Sequence, residues 1–143
     1  MAIFISKPLT FGLCKKLAAT RLKEAKILYK SRRYSGAYYL AGYAIELGIK
    51  AFYCKSVKKC TFPPKVKVVA ELYKHDLNEL MKACALNREF NKDAQSDNSL
   101  QSNWGTVKDW SVESRYSQIN KSDSKSMINS VEAILKWMQT KWK

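Results

Sequence analysis

One segment constrains this fold more than any other: residues 33–52, RYSGAYYLAGYAIELGIKAF. Its apolar residues would cover nearly every side of a helix, and such a helix belongs in the middle of a bundle. Within it Glu46 and Lys50 stand four residues apart and share one sector with Tyr39 and Tyr43. A buried acid and base are costly unless they pair. The segment therefore predicts a central helix with an internal ion pair beside tyrosines.

Apolar residues recur at helical spacing along most of the chain and predict an all-α fold with four main helices. The first helix is expected at about residues 10–31. The second is expected at about 35–55, with Ser35 as its N-cap. Asp76 is predicted to cap a third helix within the sequence HDLNEL, and the last helix is expected to begin near Ser122.

The length of 143 residues suits one domain with a hydrophobic core. We expect a single domain over residues 1–143 with its core at about 10–142. The basic segment 56–74 contains two adjacent prolines and is expected to connect two helices. The polar segment at about 87–103 is expected to form a surface loop.

Targeting signals and metal motifs are not evident in the sequence. No stretch reaches the ~18–20 apolar residues of a membrane helix, and the N-terminal residues do not follow the secretory pattern. We therefore expect a cytoplasmic protein that does not contact a membrane. The four cysteines and single histidine lack the close pairing typical of zinc sites. The expectation is no metal site and no cofactor.

Positive charge is concentrated in the first part of the chain. The formal net charge is +14, and residues 1–60 carry 13 Lys/Arg against 2 Asp/Glu, whereas residues 61–143 carry 13 against 10. Such a field favours a polyanion or an acidic protein, although a merely solvated surface is the alternative. The candidate nucleic-acid-binding patch comprises Lys16, Lys23, Lys26, Lys30, Arg32 and Arg33.

Three segments occur in a characteristic order: RYSGAYYLAGYAIELGIKA, then KHDLNEL, then NWGTVKDWSVESRY before a final amphipathic helix. Together they resemble the HEPN family, small helical domains of prokaryotes and some eukaryotic proteins. The resemblance covers about residues 15–142. It implies an antiparallel up-and-down bundle of four to five helices, usually a homodimer. It also implies a polar groove near the two-fold axis, between the second helix and later segments.

The resemblance also implies two classes of function. Many HEPN proteins are metal-independent RNases of toxin–antitoxin or antiviral systems. Others bind RNA, nucleotides or a nucleotidyltransferase-fold partner protein without cleaving RNA. The RNase signature is an Arg and a His separated by four to six residues. Here Arg115 is present, but Asn120, Lys121 and Ser122 occupy the positions where the His would stand.

The leading hypothesis is a non-catalytic, dimeric HEPN-like module that binds RNA, a nucleotide or a partner protein in a toxin–antitoxin or phage-defence setting. One alternative is a metal-independent RNase toxin with a non-standard site of Glu46, His75 and Arg115. Another is a structural oligomerisation domain that docks an acidic partner. The expected pocket residues are Tyr39, Tyr43, Glu46, Lys50, Arg115 and Tyr116.

Three further side chains have two interpretations each. Arg21 falls inside the apolar stripe of the first helix, so it either extends to solvent or points into a site. Trp104 and Trp110 either stack on bases or anchor the core or a dimer interface.

Overall fold

The structure, a computed structural model, describes residues 10–60 and 75–142, with only the backbone given for residues 57–60. Within these ranges all regular structure is helical, which confirms the predicted all-α class. The predicted connection at residues 56–74 is wrong for its first five residues, which continue a helix to Cys60, and its remainder, 61–74, lies outside the described residues. The helices are α1 (Phe11–Lys30), α2 (Tyr34–Cys60), α3 (Leu77–Ala83), α4 (Leu86–Ala94), α5 (Asn98–Val107), a 3-10 helix (Val112–Tyr116) and α6 (Lys121–Lys141).

Helix α1 begins and ends close to its predicted limits. The Leu13 backbone N–H donates to the Thr10 hydroxyl over 3.1 Å, which satisfies one of the free amides at the helix start. A three-residue turn follows, in which Arg32 adopts a left-handed conformation with φ of 63°. This turn reverses the chain, and α1 then packs along α2.

Helix α2 differs from the prediction at both ends. It continues to Cys60, five residues past the expected end, because the first proline beyond residue 55 is Pro63. Ser35 is not the N-cap, since α2 already begins at Tyr34. The Ser35 hydroxyl instead accepts a 2.9 Å hydrogen bond from the Ile119 backbone N–H. This bond fixes the start of α2 to the segment that precedes α6.

The prediction of a surface loop at about 87–103 is wrong, because this region contains most of α4 and the first half of α5. Apolar residues are sparse there, yet they follow helical spacing. Each short helix presents three of them to the core, and Asp97 caps α5 by accepting from the Leu100 N–H over 3.0 Å. The buried residues are Leu86, Phe90 and Ala94 in α4 and Leu100, Trp104 and Val107 in α5.

Helix α6 closes the bundle against α1 and α2. It begins after Asn120, which caps it by accepting from the Asp123 N–H over 2.8 Å. At the other end, the indole N–H of Trp142 donates to the carbonyl of Gly48 over 3.3 Å. Helix α2 also contacts α3 and the 3-10 helix, and the candidate site lies where these elements meet.

Candidate functional site

The carboxylate of Glu46 is the centre of the candidate site. Glu46 is only 1% exposed, and it forms the predicted ion pair with Lys50, whose Nζ lies 3.3 Å from Oε2. Its second oxygen, Oε1, lies 2.6 Å from Nδ1 of His75. Both oxygens thus have partners, as a buried carboxylate requires.

Helix α3 holds His75 in place. Asp76 caps this helix by accepting from the Glu79 N–H over 3.0 Å, as predicted, and the next residue, Leu77, is fully buried. These two anchors fix the chain immediately after His75. The His75 side chain remains 39% exposed. An ionised carboxylate such as that of Glu46 can only accept a hydrogen bond. A neutral His75 ring would therefore carry its hydrogen on Nδ1 and leave Nε2 as an acceptor.

Aromatic rings surround this polar pair. Tyr39 and Tyr43 lie one turn apart on α2, with ring centroids 5.8 Å apart. Trp110 packs against both, with centroid distances of 5.7 Å and 5.8 Å, and Tyr43 also contacts the His75 ring at 6.4 Å. The predicted pocket is therefore partly filled by the side chain of Trp110.

Trp110 is a core residue, as is Trp104. Trp110 is 1% exposed and Trp104 is 9% exposed, so neither ring offers a face for base stacking. Within the described part of the chain, the buried Nε1 of Trp110 has no hydrogen-bond partner. The ring lies over Gly42 so closely that a Cβ there would be 2.2 Å from its Cδ1. Only glycine at this position of α2 admits the indole.

Burial and neighbouring charges shift the pKa of the Tyr43 phenol. Burial raises the pKa of Tyr43, and the negative charge of Glu46 raises it further, while Arg21 opposes both. The phenol is therefore protonated at neutral pH and can donate a hydrogen bond. Arg21 itself forms an ion pair with Glu24, and its side chain is 32% exposed. It thus reaches solvent while its charge acts at the edge of the site.

Arg115 and Tyr116 form no hydrogen bond or ion pair with the buried carboxylate among the contacts of the described residues. Both side chains are exposed at the end of the 3-10 helix, and the guanidinium carbon of Arg115 lies 4.8 Å from the Tyr116 ring centroid. The two oxygens of Glu46 already contact Lys50 and His75. The structure thus brings together Tyr39, Tyr43, Glu46 and Lys50, and leaves Arg115 and Tyr116 on the outer surface.

Sequence reasoning missed two members of this cluster as pocket residues. The sequence suggests a role for His75 only in the alternative RNase site, and it does not place Trp110 against the tyrosines. Gly42 was the available signal for Trp110, because glycine within a helix costs about 0.5–1 kcal/mol relative to alanine and needs a close neighbour to justify it.

The candidate cationic patch lies on α1 and the turn that follows it. All six of its side chains are exposed. One of them, Lys26, forms an ion pair with Glu132 of α6. The other five have no acidic partner among the ion pairs of the described residues. The members are Lys16, Lys23, Lys26, Lys30, Arg32 and Arg33.

The described residues contain neither a metal-binding cluster nor a membrane-spanning helix. Among residues 10–60 and 75–142, no three His, Cys, Asp or Glu side chains lie close enough together to hold a metal ion. In the same ranges, none of the helices combines the length and hydropathy needed to cross a membrane.

Comparison with known families assigns the chain. The model of the HEPN domain matches residues 13–141, nearly the whole chain. The protein therefore belongs to the HEPN family. A comparison with curated proteins and another with solved structures found no match.

Proposed function

We propose that this protein is a non-catalytic HEPN module that binds RNA. The observation that carries the proposal is the exposure of six basic side chains on α1 and the turn after it. Phosphate contacts by Lys and Arg supply most of the non-specific affinity for nucleic acids. The HEPN domain match supports an RNA-related or nucleotide-related role.

The exposed pair Arg115 and Tyr116 would contribute base contacts. The Tyr116 ring is 73% exposed, and single-stranded bases stack on such rings with about 1–3 kcal/mol each. The guanidinium of Arg115 lies against that ring and is suited to a phosphate. A free nucleotide would use the same two side chains.

The wider setting is also part of the proposal. HEPN domains commonly dimerise, so we propose that this chain forms a homodimer in the cytoplasm. The family resemblance supports a toxin–antitoxin or phage-defence role and a nucleotidyltransferase-fold partner protein. Sedimentation of the purified chain at several concentrations would give its oligomeric state.

Neutralising part of the cationic patch should weaken RNA binding. In the variant Lys16→Gln/Lys23→Gln/Lys30→Gln, the slope of log affinity against log salt is expected to become shallower by about 2, because three phosphate contacts are lost at about 0.7 each for single strands. Fluorescence anisotropy with a labelled single-stranded RNA at several salt concentrations measures this slope.

A matched triple variant controls for net charge. Lys82, Lys92 and Lys108 are exposed on α3, on α4 and just after α5, and their replacement by glutamine removes the same charge. This control should keep the slope of the unmodified protein. Equal loss in both variants would mean that the patch on α1 is not the binding face.

The RNase alternative has one specific observation in its favour. The 2.6 Å contact of Glu46 with His75 Nδ1 would orient the imidazole and leave Nε2 available as a general base. Arg115 could stabilise the charge that develops on phosphate. We regard this as the second candidate, because Arg115 does not contact the Glu46–His75 pair.

Incubation with labelled RNA separates the two candidates. We expect the RNA to stay intact during incubation with the purified chain in a chelating buffer, because the binding module lacks an assembled acid–base site. Cleavage that disappears in both His75→Ala and Arg115→Ala, but persists in Arg88→Ala on α4, would favour the RNase instead.

A further inference from the structure

A groove with an apolar floor runs between α1 and α6, away from the Glu46 site. Its main cavity has a volume of about 450 Å³, and a second cavity of about 280 Å³ continues it, with Lys26 and Glu132 lining both. The floor of the main cavity is formed by Ala18, Ala19, Leu22, Leu135 and Trp142.

The groove has the length of a short helix. One end is lined by Lys15 and Trp142 and the other by Lys30 and Lys125, so α1 and α6 run antiparallel along it. The 15 steps along the helix from Lys15 to Lys30 span ~22 Å at a rise of 1.5 Å per residue. An amphipathic helix of about four turns matches this length and fits a trough between two helices.

The rim of the groove is strongly basic. Among the described residues, six lysines line the two cavities, against a single carboxylate, that of Glu132. A second copy of this chain docked through the same groove would bring the same lysines against this rim, which is unfavourable. The rim instead complements acidic side chains that flank an apolar stripe. The lysines are Lys15, Lys23, Lys26, Lys30, Lys125 and Lys136.

Glu132 shows how such a ligand would be held. Its carboxylate pairs with Lys26 across the groove, at the place where the two cavities meet. The Lys26 hydrogen bond lowers the pKa of Glu132, so this carboxylate is charged at neutral pH. A glutamate of an incoming helix would compete with Glu132 for Lys26.

We propose that the α1–α6 groove binds an acidic amphipathic helix of a partner protein. The apolar stripe of that helix lies on the floor, and its carboxylates contact the lysines of the rim. The site goes beyond the proposed RNA binding and shares Lys23, Lys26 and Lys30 with the cationic patch. Partner helix and RNA therefore exclude each other on α1.

The probe for this site is a labelled synthetic peptide of 18 residues, with leucines on one helical face and glutamates beside them. Its control is a scrambled peptide of the same composition. Fluorescence anisotropy with the full chain should give at least tenfold tighter binding of the amphipathic peptide. Equal binding of both peptides would mean that charge alone acts, and it would overturn the proposal.

Two matched variants test the floor. Ala19 is exposed and lines the groove, whereas the neighbouring Thr20 is exposed but does not line it. Ala19→Gln places a larger neutral side chain in the groove and should weaken peptide binding about tenfold or more, while Thr20→Gln should leave it unchanged. Equal effects of the two variants would overturn the proposed location.

Two charge variants test the rim, and they are expected to change peptide affinity in opposite directions. Lys136→Gln should weaken peptide binding up to about fivefold, the range of a surface ion pair. Glu132→Gln should strengthen it by a similar factor, because it removes the internal competitor for Lys26. A weakening by Glu132→Gln would contradict the account.

RNA provides the last arm of the experiment. Ala19→Gln leaves every lysine in place, so RNA affinity should stay unchanged while peptide affinity falls. Unlabelled RNA should displace the peptide from the unmodified chain. If Ala19→Gln weakened RNA and peptide equally, the groove would be an RNA site and the proposed partner helix would be wrong. If the unmodified chain bound the peptide but not RNA, the proposed RNA-binding function would be wrong and the proposed helix-binding groove would stand.

Discussion

Replacing Glu46 by alanine is expected to lower the free energy of unfolding by about 3–5 kcal/mol. The loss follows because the buried carboxylate is the partner of Lys50, whose side chain is only 15% exposed, and of His75. Removing one member of a buried ion pair leaves an uncompensated charge, and this costs more than the net worth of the pair. Urea unfolding followed by circular dichroism measures the change.

Two control variants distinguish the loss of a buried ion pair from the loss of an exposed one. Glu24→Ala removes the partner of Arg21 on α1, where both side chains are about a third or more exposed, so it should cost less than about 1 kcal/mol. Glu46→Leu/Lys50→Leu should cost less than Glu46→Ala, because it leaves no unpaired lysine. Equal small losses for Glu24→Ala and Glu46→Ala would mean that Glu46 is solvated.

Gly42→Ala is the second substitution with a large expected effect. A Cβ at this position would lie 2.2–2.3 Å from three atoms of the Trp110 indole, which is itself 1% exposed and cannot move freely. We expect a loss of about 3 kcal/mol, the upper end of the usual cost of overpacking a core. The midpoint of urea unfolding should fall accordingly.

Gly105→Ala supplies the matched control within α5. A Cβ there would meet nothing within 4 Å, so the substitution should stabilise the protein by about 0.4–1 kcal/mol through the unfolded chain. Opposite signs for the two alanines are the expected result. A neutral Gly42→Ala would show that Trp110 does not lie over α2.

The sequence predicted the features that depend on local periodicity. Helix α2 is apolar on nearly every side, so its central place and the pairing of Glu46 with Lys50 follow from spacing alone. Helix α1 and α6 carry apolar stripes long enough to be recognised. The HEPN assignment also follows from the order of three local segments, which the family model confirms.

The features that sequence reasoning missed depend on short or distant signals. Helices α4 and α5 each bury only three residues, so their segment looks polar and irregular. His75 meets Glu46 from 29 residues away, and Trp110 meets Gly42 from still farther along the chain. No periodicity connects such pairs, and tertiary packing alone determines them.

The contact between Glu46 and the imidazole can be tested most directly by the tautomer of His75. The chain has a single histidine, so long-range ¹H–¹⁵N spectra of the neutral ring need no assignment. The structure predicts hydrogen on Nδ1 in the unmodified protein and a loss of this preference in Glu46→Ala. A neutral ring that carries its hydrogen on Nε2 and none on Nδ1 in both proteins would contradict the buried Glu46–His75 pair on which this account rests.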